Sequence, residues 1–375
     1  MISIKNGLRQ FDKWRRRKTA SMEKILYVPF NNKNDLEKEM LPKREVKTIL
    51  IIRNNKRIGN VLFLIPFVRQ MKLEYPQAEI TLMLNQRWQG SLFTHMGLKR
   101  ICYSEFSLTK LISSVRLIRN LNKNVFDLVI LPTSSVGDSL IAASIRGKNK
   151  ISPYSKNRTT VFSHNIACQK HYKHSALNPL ELLDKVSGGL EHTHSHYLSF
   201  SLEELKQAYY KASQIRSAHK TLTIAFFRGA RGKKLLPNQQ WQNILEQFDQ
   251  ASNQDIHWVE ILSPEIPTPL DTQSSTFFSR DIRHLGAVLR YFDGFICCDT
   301  GPLHLADAAG AKCIGLYTDT DPDNFGVIGN NCVNVSDINQ IDAANLLSTL
   351  HNKNSVKDIY HGNSFNQQPL SQTAS

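Results

Sequence analysis

The stretch that decides the fold runs from residue 295 to 326 and reads FICCDTGPLHLADAAGAKCIGLYTDTDPDNFG. An apolar run at 295–298 ends in a DTGP turn, and a helical pattern follows until Gly310. Pro302 suits the first helical position because its missing N–H would have no partner there, and Gly310 suits a C′ position with positive φ. The stretch predicts a strand, a tight turn, a helix and a second parallel strand at 313–317. In an open α/β sheet, such helix N-termini collect anions.

These residues resemble the C-terminal signature of glycosyltransferase family 9, the heptosyltransferase-like enzymes that build the inner core of bacterial lipopolysaccharide. That signature has the form D-[ST]-G-x-x-H-x-A-x-A, then an apolar strand and a turn ending in T-D-P. Here it reads DTGPLHLADA from Asp299, and the T-D-P begins at Thr320. A D-T-G turn alone would be weak support, because such residues are common in turns and caps. The three parts in one order are much more specific.

A second match lies nearer the N-terminus. Residues 48–52 form a β-branched run typical of a parallel strand buried on both faces. A basic loop, the tripeptide Ile58-Gly59-Asn60 and an apolar helix from 61 to about 75, bent at Pro66, come next. The family has I-x-R, a short basic loop, I-G-D, a proline-containing helix and Y-P-x-A-x-I in this region, so nearly every element is present.

Asn60 departs from this pattern, because the family has an aspartate there that is proposed to deprotonate the acceptor hydroxyl. An amide cannot take a proton at neutral pH, and loss of a general base typically costs ~10²–10⁴-fold in rate. Three explanations stay open: another residue supplies the base, with Asp138 and His95 as candidates; the acceptor differs; or catalysis has been lost. The resemblance puts the acceptor hydroxyl near Gly59 and Asn60, with Arg57 also on the acceptor side.

The donor side shows a partial match around Lys234. The family has K-x-W-P-x-x-x-W, with its lysine on the donor phosphates, where this chain has Lys234, Leu236 in place of the first tryptophan, and Trp241. A P-loop is excluded here by the glycine spacing. The family's glycine-rich turn and ribose-binding acidic residue are replaced by SPEIP at 263–267, which leaves Glu260 and Glu265 as candidates.

By resemblance, the chain is an inverting transferase that moves a sugar, heptose from ADP-heptose, onto the lipopolysaccharide core. The donor diphosphate would lie against the amides of Thr300 and Gly301 and the ammonium of Lys234, while Asp299 or His304 would orient the sugar or the turn. The candidate site residues are Asn60 and Lys234 as catalytic, Asp299, Thr300, Gly301, His304, Lys234 and Glu260 as donor-binding, and Gly59, Arg57 and Asp138 as acceptor-side. Asn60 keeps open a catalytically impaired relative that binds nucleotide sugar or lipopolysaccharide. An epimerase acting on the donor alone is a third possibility.

The resemblance implies an α/β GT-B fold, with two Rossmann-like domains facing a central cleft. We expect a basic extension at 1–45, an acceptor domain at 46–205, a donor domain at 218–350 and a polar tail at 353–375. Residues 202–217 predict the connecting helix, residues 126–132 a further strand and residues 140–145 a helix. No G-x-G-x-x-G follows either leading strand, which argues against a dinucleotide oxidoreductase.

The amino-acid composition further limits the class of protein. With 375 residues and 41% hydrophobic content, the chain fits a soluble two-domain protein. No apolar run approaches the ~20 residues of a spanning helix. The six cysteines show no C-x-x-C pair and predict a reduced, cytoplasmic protein. A net charge of +15 attracts phosphates, acidic lipids or nucleic acid, but no nucleic-acid-binding module is apparent, so we expect no nucleic-acid partner.

Three weaker patterns remain in the sequence. The basic run WRRRK at 14–18 predicts either a solvated tail or a helix in weak contact with the cytoplasmic face of the inner membrane, at about 1 kcal/mol per basic residue. Residues 24–30 favour an edge strand. The histidines 192, 194 and 196 suggest a metal, but no Cys or carboxylate signature accompanies them, so we expect no metal and no cofactor beyond the nucleotide-sugar substrate.

Overall fold

Two parallel sheets organise the molecule. The computed structural model describes residues 23–30, 36–37, 39–104, 111–169, 171–188, 195–217, 219–220, 222–330 and 332–351. Within these residues each sheet has six strands. Burial of both faces of each sheet matches the β-branched and apolar strand sequences, since helices cover a parallel sheet on both sides.

The N-terminal sheet is built from the first half of the chain. Its strands are β1 (Thr48–Arg53), β2 (Glu79–Leu84), β3 (Arg100–Tyr103), β4 (Phe126–Ile130), β5 (Gly147–Pro153) and β6 (His164–Ile166). They lie in the order β3-β2-β1-β4-β5-β6, and every pair is parallel. The register aligns Ile51 of β1 with Leu82 of β2 and with Ile130 of β4.

The C-terminal sheet repeats this arrangement. Its strands are β7 (Leu222–Phe227), β8 (Ile256–Ile261), β9 (Ser275–Phe277), β10 (Gly294–Cys298), β11 (Cys313–Leu316) and β12 (Val333–Val335). The order is β12-β11-β10-β7-β8-β9, again fully parallel. In both sheets the first and fourth strands are neighbours, so the direction of winding reverses between them. Ligands of open α/β sheets bind at this switch point, beyond the carboxyl ends of the strands.

Helices cover the sheets and connect them. They are α1 (Glu23–Leu26), α2 (Ile58–Leu62), α3 (Ile65–Glu74), α4 (Leu111–Leu121), α5 (Val136–Ser144), α6 (Asn178–Ser187), α7 (Leu202–Ile215), α8 (Asn238–Ala251), α9 (Ile282–Leu289), α10 (Gly301–Ala309), α11 (Pro322–Phe325) and α12 (Ala343–His351). Short 3₁₀ turns lie at Val28–Phe30, Lys43–Glu45, Arg87–Phe93 and Gly232–Lys234. None of the described helices combines the length and apolar character that crossing a membrane requires.

The two halves share one apolar core. Helix α2 of the N-terminal half packs on α10 of the C-terminal half, and α7 packs on α9. The same cluster of buried side chains includes Ile49 of β1 and Phe295 of β10, so it is continuous from sheet to sheet. The switch points of the two sheets are therefore brought together by packing.

The predicted elements around the DTGP turn are confirmed. Strand β10, helix α10 and strand β11 follow one another as expected, with proline in the first turn of α10. Gly310 ends the helix in the left-handed region, at φ 84°. The helix begins at Gly301, two residues before the predicted apolar run.

Three other expectations differ from the structure. Residues 24–30 are helical rather than an edge strand, because Tyr27 is buried against α5 and donates to Ser139 Oγ at 2.8 Å. The helix predicted from 61 to 75 is two helices, α2 and α3, which break before Pro66. Helix α5 begins at Val136, four residues earlier than predicted, because Ser135 caps it through the amide of Asp138 at 3.4 Å.

The proposed domain limits are compatible with the two sheets but stay a prediction. Residues 14–18, 192 and 194 and the tail at 353–375 lie outside the described residues.

Candidate active site

The carboxylate of Asp299 is the centre of the C-terminal switch point. It follows β10 directly and is buried. His304 Nε2 donates to Oδ1 at 2.9 Å, Thr320 Oγ1 donates to Oδ2 at 2.5 Å, and the ammonium of Lys234 forms an ion pair with Oδ2. One carboxylate thus ties together the loops after β7, β10 and β11.

The electrostatics of this cluster favour an ionised carboxylate. Burial alone would raise the pKa of Asp299, but hydrogen bonds from His304, Lys234 and Thr320 hold that pKa well below its ordinary value. Hydrogen bonds to the charged form stabilise that form. Since the carboxylate accepts from His304 Nε2, the proton of a neutral imidazole lies on that nitrogen.

Lys234 is positioned by a short turn after β7. Gly232 begins a 3₁₀ turn with φ 67°, a conformation that suits glycine. The turn brings Lys234 Nζ to 3.2 Å from the backbone oxygen of Asp299, in addition to the side-chain ion pair. Arg231 and Lys233 on the same loop are exposed. The loop therefore combines one anchored cation with two accessible ones.

His304 also touches the N-terminal half. A Cβ added to Gly59 would lie 3.0 Å from His304 Cδ2, and the rings of Phe63 and His304 are 4.8 Å apart in an edge-to-face arrangement. A Cβ on Gly301 would meet Ile58 Cγ2 at 2.0 Å. A side chain at Gly301 would overlap Ile58, and one at Gly59 would press on His304, because α2 and α10 pack closely. The two motifs found in the sequence, IGN and DTG, are in contact.

A cavity of about 330 Å³ opens beside this contact. Asn60 of α2 and Phe63, the residue after that helix, line it, together with Arg53 at the end of β1. Phe325 of α11 contributes from the C-terminal half. Phe325 stacks on Phe63 with ring centroids 6.5 Å apart. The polar wall of the cavity is formed by Thr133, Ser134, Ser175, Asn178 and Glu181. The residue at the family's aspartate position therefore faces a cavity large enough for a sugar ring.

Asp138 is not on this wall. It is 1% exposed, accepts from the Asn54 amide at 3.0 Å and pairs with Arg53 at 3.3 Å. Burial raises the pKa of Asp138, although Arg53 acts in the opposite direction. The carboxylate therefore braces the loop that carries Arg57. His95, the other candidate base, lies 3.4 Å from Glu204 and does not line the cavity.

Glu260 is enclosed in the C-terminal sheet. It is 0% exposed, and its oxygens accept from Arg228 Nε at 2.5 Å and from the Leu270 amide at 2.6 Å. Arg228 in turn donates to Asn238 Oδ1 and to the Thr268 carbonyl. The structure therefore gives Glu260 a bracing position and does not bring its oxygens to the surface.

Arg283 makes a set of buried hydrogen bonds that the sequence did not predict. Its guanidinium is buried and donates to Glu204, at 2.7 and 2.9 Å, and to the carbonyls of Ser91 and Ser199. These partners lie on two segments, at residue 91 and at 199–204, and both are far from Arg283 in sequence, so no local pattern could have found them. Thr320, by contrast, belongs to the T-D-P turn that the sequence marked.

The histidine-rich segment packs against helix α10. His196 Nε2 is 3.1 Å from Asp307 Oδ1, and His174 Nε2 is 2.9 Å from the Gly326 carbonyl. In the described part of the chain, no group of three or more His, Cys, Asp or Glu residues is arranged to hold a metal ion.

Two parallel six-stranded sheets that meet at their switch points form a GT-B fold. The model of the family described as glycosyltransferase family 9 (heptosyltransferase) matches residues 114–353. The chain belongs to this family and is a glycosyltransferase. Among curated proteins, none matches the chain by sequence.

Solved structures with the same fold include a family 9 glycosyltransferase and heptosyltransferases. A family 9 glycosyltransferase from Veillonella parvula DSM 2008 gives a TM-score of 0.68 at 17% identity, over 80% of this chain and 89% of that one. E. coli heptosyltransferase WaaC with ADP gives 0.61 at 16% identity, over 80% and 98%. E. coli ADP-heptose lps heptosyltransferase II gives 0.60 at 15% identity, over 81% and 97%.

Proposed function

We propose that this glycosyltransferase moves a sugar, heptose from ADP-heptose, with inversion onto a hydroxyl of the lipopolysaccharide or lipooligosaccharide core. The observation that carries the proposal is the contact of Gly59 with His304, since it joins the family's acceptor-side and donor-side motifs in one site. Transfer between two substrates requires such a junction, because both reacting atoms must be held within about 3–3.5 Å.

The donor diphosphate is proposed to bind between Lys234 and the N-terminus of α10 at Thr300 and Gly301. A helix N-terminus favours an anion, and a preorganised cation stabilises the charge that develops on a departing diphosphate. The accessible cation Arg231, on the same loop, supports the same location. Asp299 is assigned to positioning, because its two oxygens already hold Lys234, His304 and Thr320. The ADP in the E. coli WaaC structure supports an adenine nucleotide.

The acceptor sugar is proposed to occupy the 330 Å³ cavity beside Asn60. Phe63 and Phe325 offer apolar faces for a sugar ring, while Arg53 and the polar wall offer partners for hydroxyl or carboxylate groups. Because Phe325 and Phe63 come from opposite halves and stack, the cavity is complete only when the halves are together. Closure excludes water, which would otherwise hydrolyse the donor.

In the proposed reaction, the acceptor oxygen attacks the anomeric carbon of the donor from the face opposite the diphosphate. The bond from that carbon to the phosphate oxygen breaks, and its electron pair leaves with the nucleoside diphosphate. Lys234 and the α10 amides stabilise the leaving group more in the transition state than in the ground state, which is what accelerates transfer. We propose no metal and no cofactor beyond the nucleotide sugar.

We also propose a cytoplasmic location with weak attachment to the inner membrane. Ile112 and Val115 on α4 are 78% and 40% exposed, beside the exposed Arg116 and Arg119. Apolar side chains flanked by arginines complement an anionic lipid surface. Co-sedimentation with phosphatidylglycerol vesicles should exceed that with phosphatidylcholine vesicles and fall in the double variant Arg116→Glu, Arg119→Glu. Equal sedimentation of the protein and the variant would remove this part of the proposal.

A donor panel tests the enzymatic proposal. Release of free nucleoside diphosphate is measured from ADP-, UDP-, GDP- and dTDP-sugars, with and without deacylated lipopolysaccharide core from a truncated strain. Acceptor-dependent release from ADP-heptose is the expected result. Acceptor-dependent release from another donor would overturn the donor assignment while keeping the transferase.

The alternative, a catalytically impaired relative that binds nucleotide sugar or lipopolysaccharide, is favoured by Asn60 alone. It predicts no release from any donor, together with a rise in thermal unfolding temperature when one of them binds.

A further inference from the structure

The proposed reaction needs a proton acceptor that Asn60 cannot supply. The cavity beside Asn60 is lined by described residues that include a single carboxylate, Glu181. Asp138 and His95, the two candidates from the sequence, do not line it. Among the residues that line this cavity, Glu181 is therefore the candidate proton acceptor.

Glu181 is held firmly at the start of α6. It lies in the first turn of that helix and is 1% exposed. Its Oε2 accepts from the His171 amide at 3.2 Å, and its Oε1 accepts from the Gln169 amide. A carboxylate has about four lone-pair sites. Two backbone donors orient it and leave capacity for a proton from a ligand.

Two further side chains on the same cavity wall have unfilled hydrogen-bonding capacity. Thr133 Oγ1 and Asn178 Oδ1 are buried and have no hydrogen-bond partner among the described residues. Buried polar atoms nearly always have a partner, so such atoms in a cavity point to a polar ligand. A hydroxyl oxygen and an amide oxygen are suitable acceptors for the hydroxyl groups of a sugar.

We propose that Glu181 is the general base and that Thr133 and Asn178 bind neighbouring hydroxyls of the acceptor sugar. This inference rests on the proposed function. The acceptor O–H bond breaks and its proton moves to a Glu181 oxygen. The acceptor oxygen forms a bond to the anomeric carbon, whose bond to the diphosphate breaks with the electron pair leaving on the nucleotide. Protonated Glu181 then returns the proton to solvent. Asn60 holds the acceptor through hydrogen bonds and takes no proton.

The test compares acceptor-dependent nucleotide release by the full chain and its Glu181→Gln variant. We expect kcat to fall by ~10²–10⁴-fold, the effect of losing a general base, while KM for the donor changes little. The acid limb of the pH profile of kcat/KM should disappear. Asn60→Asp, added to Glu181→Gln, should restore at least part of the lost rate by returning a carboxylate to the cavity. Asp184→Asn, one turn further along α6, is the matched control and should keep both the rate and the acid limb.

A purely structural role for Glu181 gives a different result. Glu181→Gln would then lower the rate through the loop at 169–171, the acid limb would persist, and Asn60→Asp would not rescue; this outcome overturns the inference. Retention of the wild-type kcat by Glu181→Gln also overturns it. If Glu181→Gln does not fold, Glu181→Asp is used instead because it keeps the charge, and we expect a reduced kcat with the acid limb of the pH profile intact. The assignment would be contradicted if Glu181→Asp left kcat unchanged and Asn178→Ala left the KM for the acceptor unchanged. Absence of transfer by the wild-type protein with every donor is the distinct failure of the proposed function.

Discussion

The Asp299 cluster and the cavity beside Asn60 lie at equivalent switch points of two sheets with the same strand order. Their polar groups are satisfied to different degrees. In the C-terminal cluster, the Asp299 carboxylate receives three side-chain donors, and His304 Nδ1 is the buried atom of this group that has no partner among the described residues. On the N-terminal wall, Thr133 Oγ1 and Asn178 Oδ1 both lack a partner among those residues. Side chains that share several hydrogen bonds restrain one another before a ligand binds. We infer that the proposed donor side is preorganised and that the proposed acceptor side is completed by its ligand.

The sequences of the two regions differ in the same way. The C-terminal region keeps the DTG, His and T-D-P parts of its motif, while the N-terminal region replaces the family aspartate with Asn60. A diphosphate is chemically the same for many donors, so its site tolerates little change. The acceptor site can change with the acceptor, as long as some group still takes the proton.

Among the substitutions that test this comparison, replacement of Lys234 should have the largest effect. Lys234→Met removes the cation that we place on the leaving diphosphate, and loss of one such group typically lowers kcat by ~10²–10³-fold. Steady-state rates of nucleotide release measure this. Lys233→Met is the matched control, since Lys233 is exposed on the same turn and should cost little. Equal losses in the two variants would mean that the loop contributes only general positive charge.

Replacement of Arg283 tests whether packing between the N-terminal and C-terminal halves holds the two regions in position. Arg283→Ala leaves the carbonyls of Ser91 and Ser199 and the carboxylate of Glu204 without their partner, and we expect the free energy of unfolding to fall by about 2–3 kcal/mol. Urea unfolding measures the change. Arg280→Ala, an exposed arginine just before α9, should be neutral. A neutral Arg283→Ala would show that the halves do not depend on this contact.

Replacement of Gly59 tests the contact between Gly59 and His304. Gly59→Ala places a methyl group 3.0 Å from His304 Cδ2, and His304 cannot move freely because Asp299 holds it. We expect transfer to fall by roughly tenfold as the reacting groups separate. Gly137→Ala is the control at the equivalent helix position of α5, where the nearest atom is 3.9 Å away. It should keep full activity and gain stability, because alanine favours a helix. Full activity in Gly59→Ala would argue against a shared site.

The smallest expected effect is a pH dependence of stability at the junction of the halves. Burial would raise the pKa of Glu204, but bonds from Arg283 and Ser201 lower it from 4.5 to about 2. The folded pKa is depressed, so the stabilisation is present above pH 4.5 and is lost as pH falls toward 2. Urea unfolding over this range should show a flatter profile for Glu204→Gln than for the wild-type protein. Parallel profiles would exclude Glu204 as a source of acid sensitivity.

Local sequence signals predicted the strands and the C-terminal turn well. The strand expected at 48–52 is β1, Thr48–Arg53, and Gly310 has the positive φ that a helix end requires. Residues 24–30 were predicted wrongly because short apolar runs do not distinguish a strand from a helix. The contact of Tyr27 with Ser139, 112 positions away in sequence, decides their conformation.

The site was predictable only where a motif marks it. Asp299, Lys234 and His304 were found from the sequence and lie together. Asp138 and Glu260 are carboxylates in plausible positions, but their burial and their arginine partners depend on tertiary packing. Glu181 follows no recognisable motif, and its relation to Asn60 exists only because α6 and α2 both border one cavity.

The most direct test of the account is to follow both products in one reaction. The protein is incubated with ADP-heptose and deacylated lipopolysaccharide core. The ADP released is quantified, and the mass of the acceptor is measured by mass spectrometry. We predict that the acceptor gains one sugar residue for each ADP released, as transfer across the contact of Gly59 and His304 requires. Release of ADP without growth of the acceptor, or binding of the donor with no release at all, would contradict the central claim that these two regions form one transferase site.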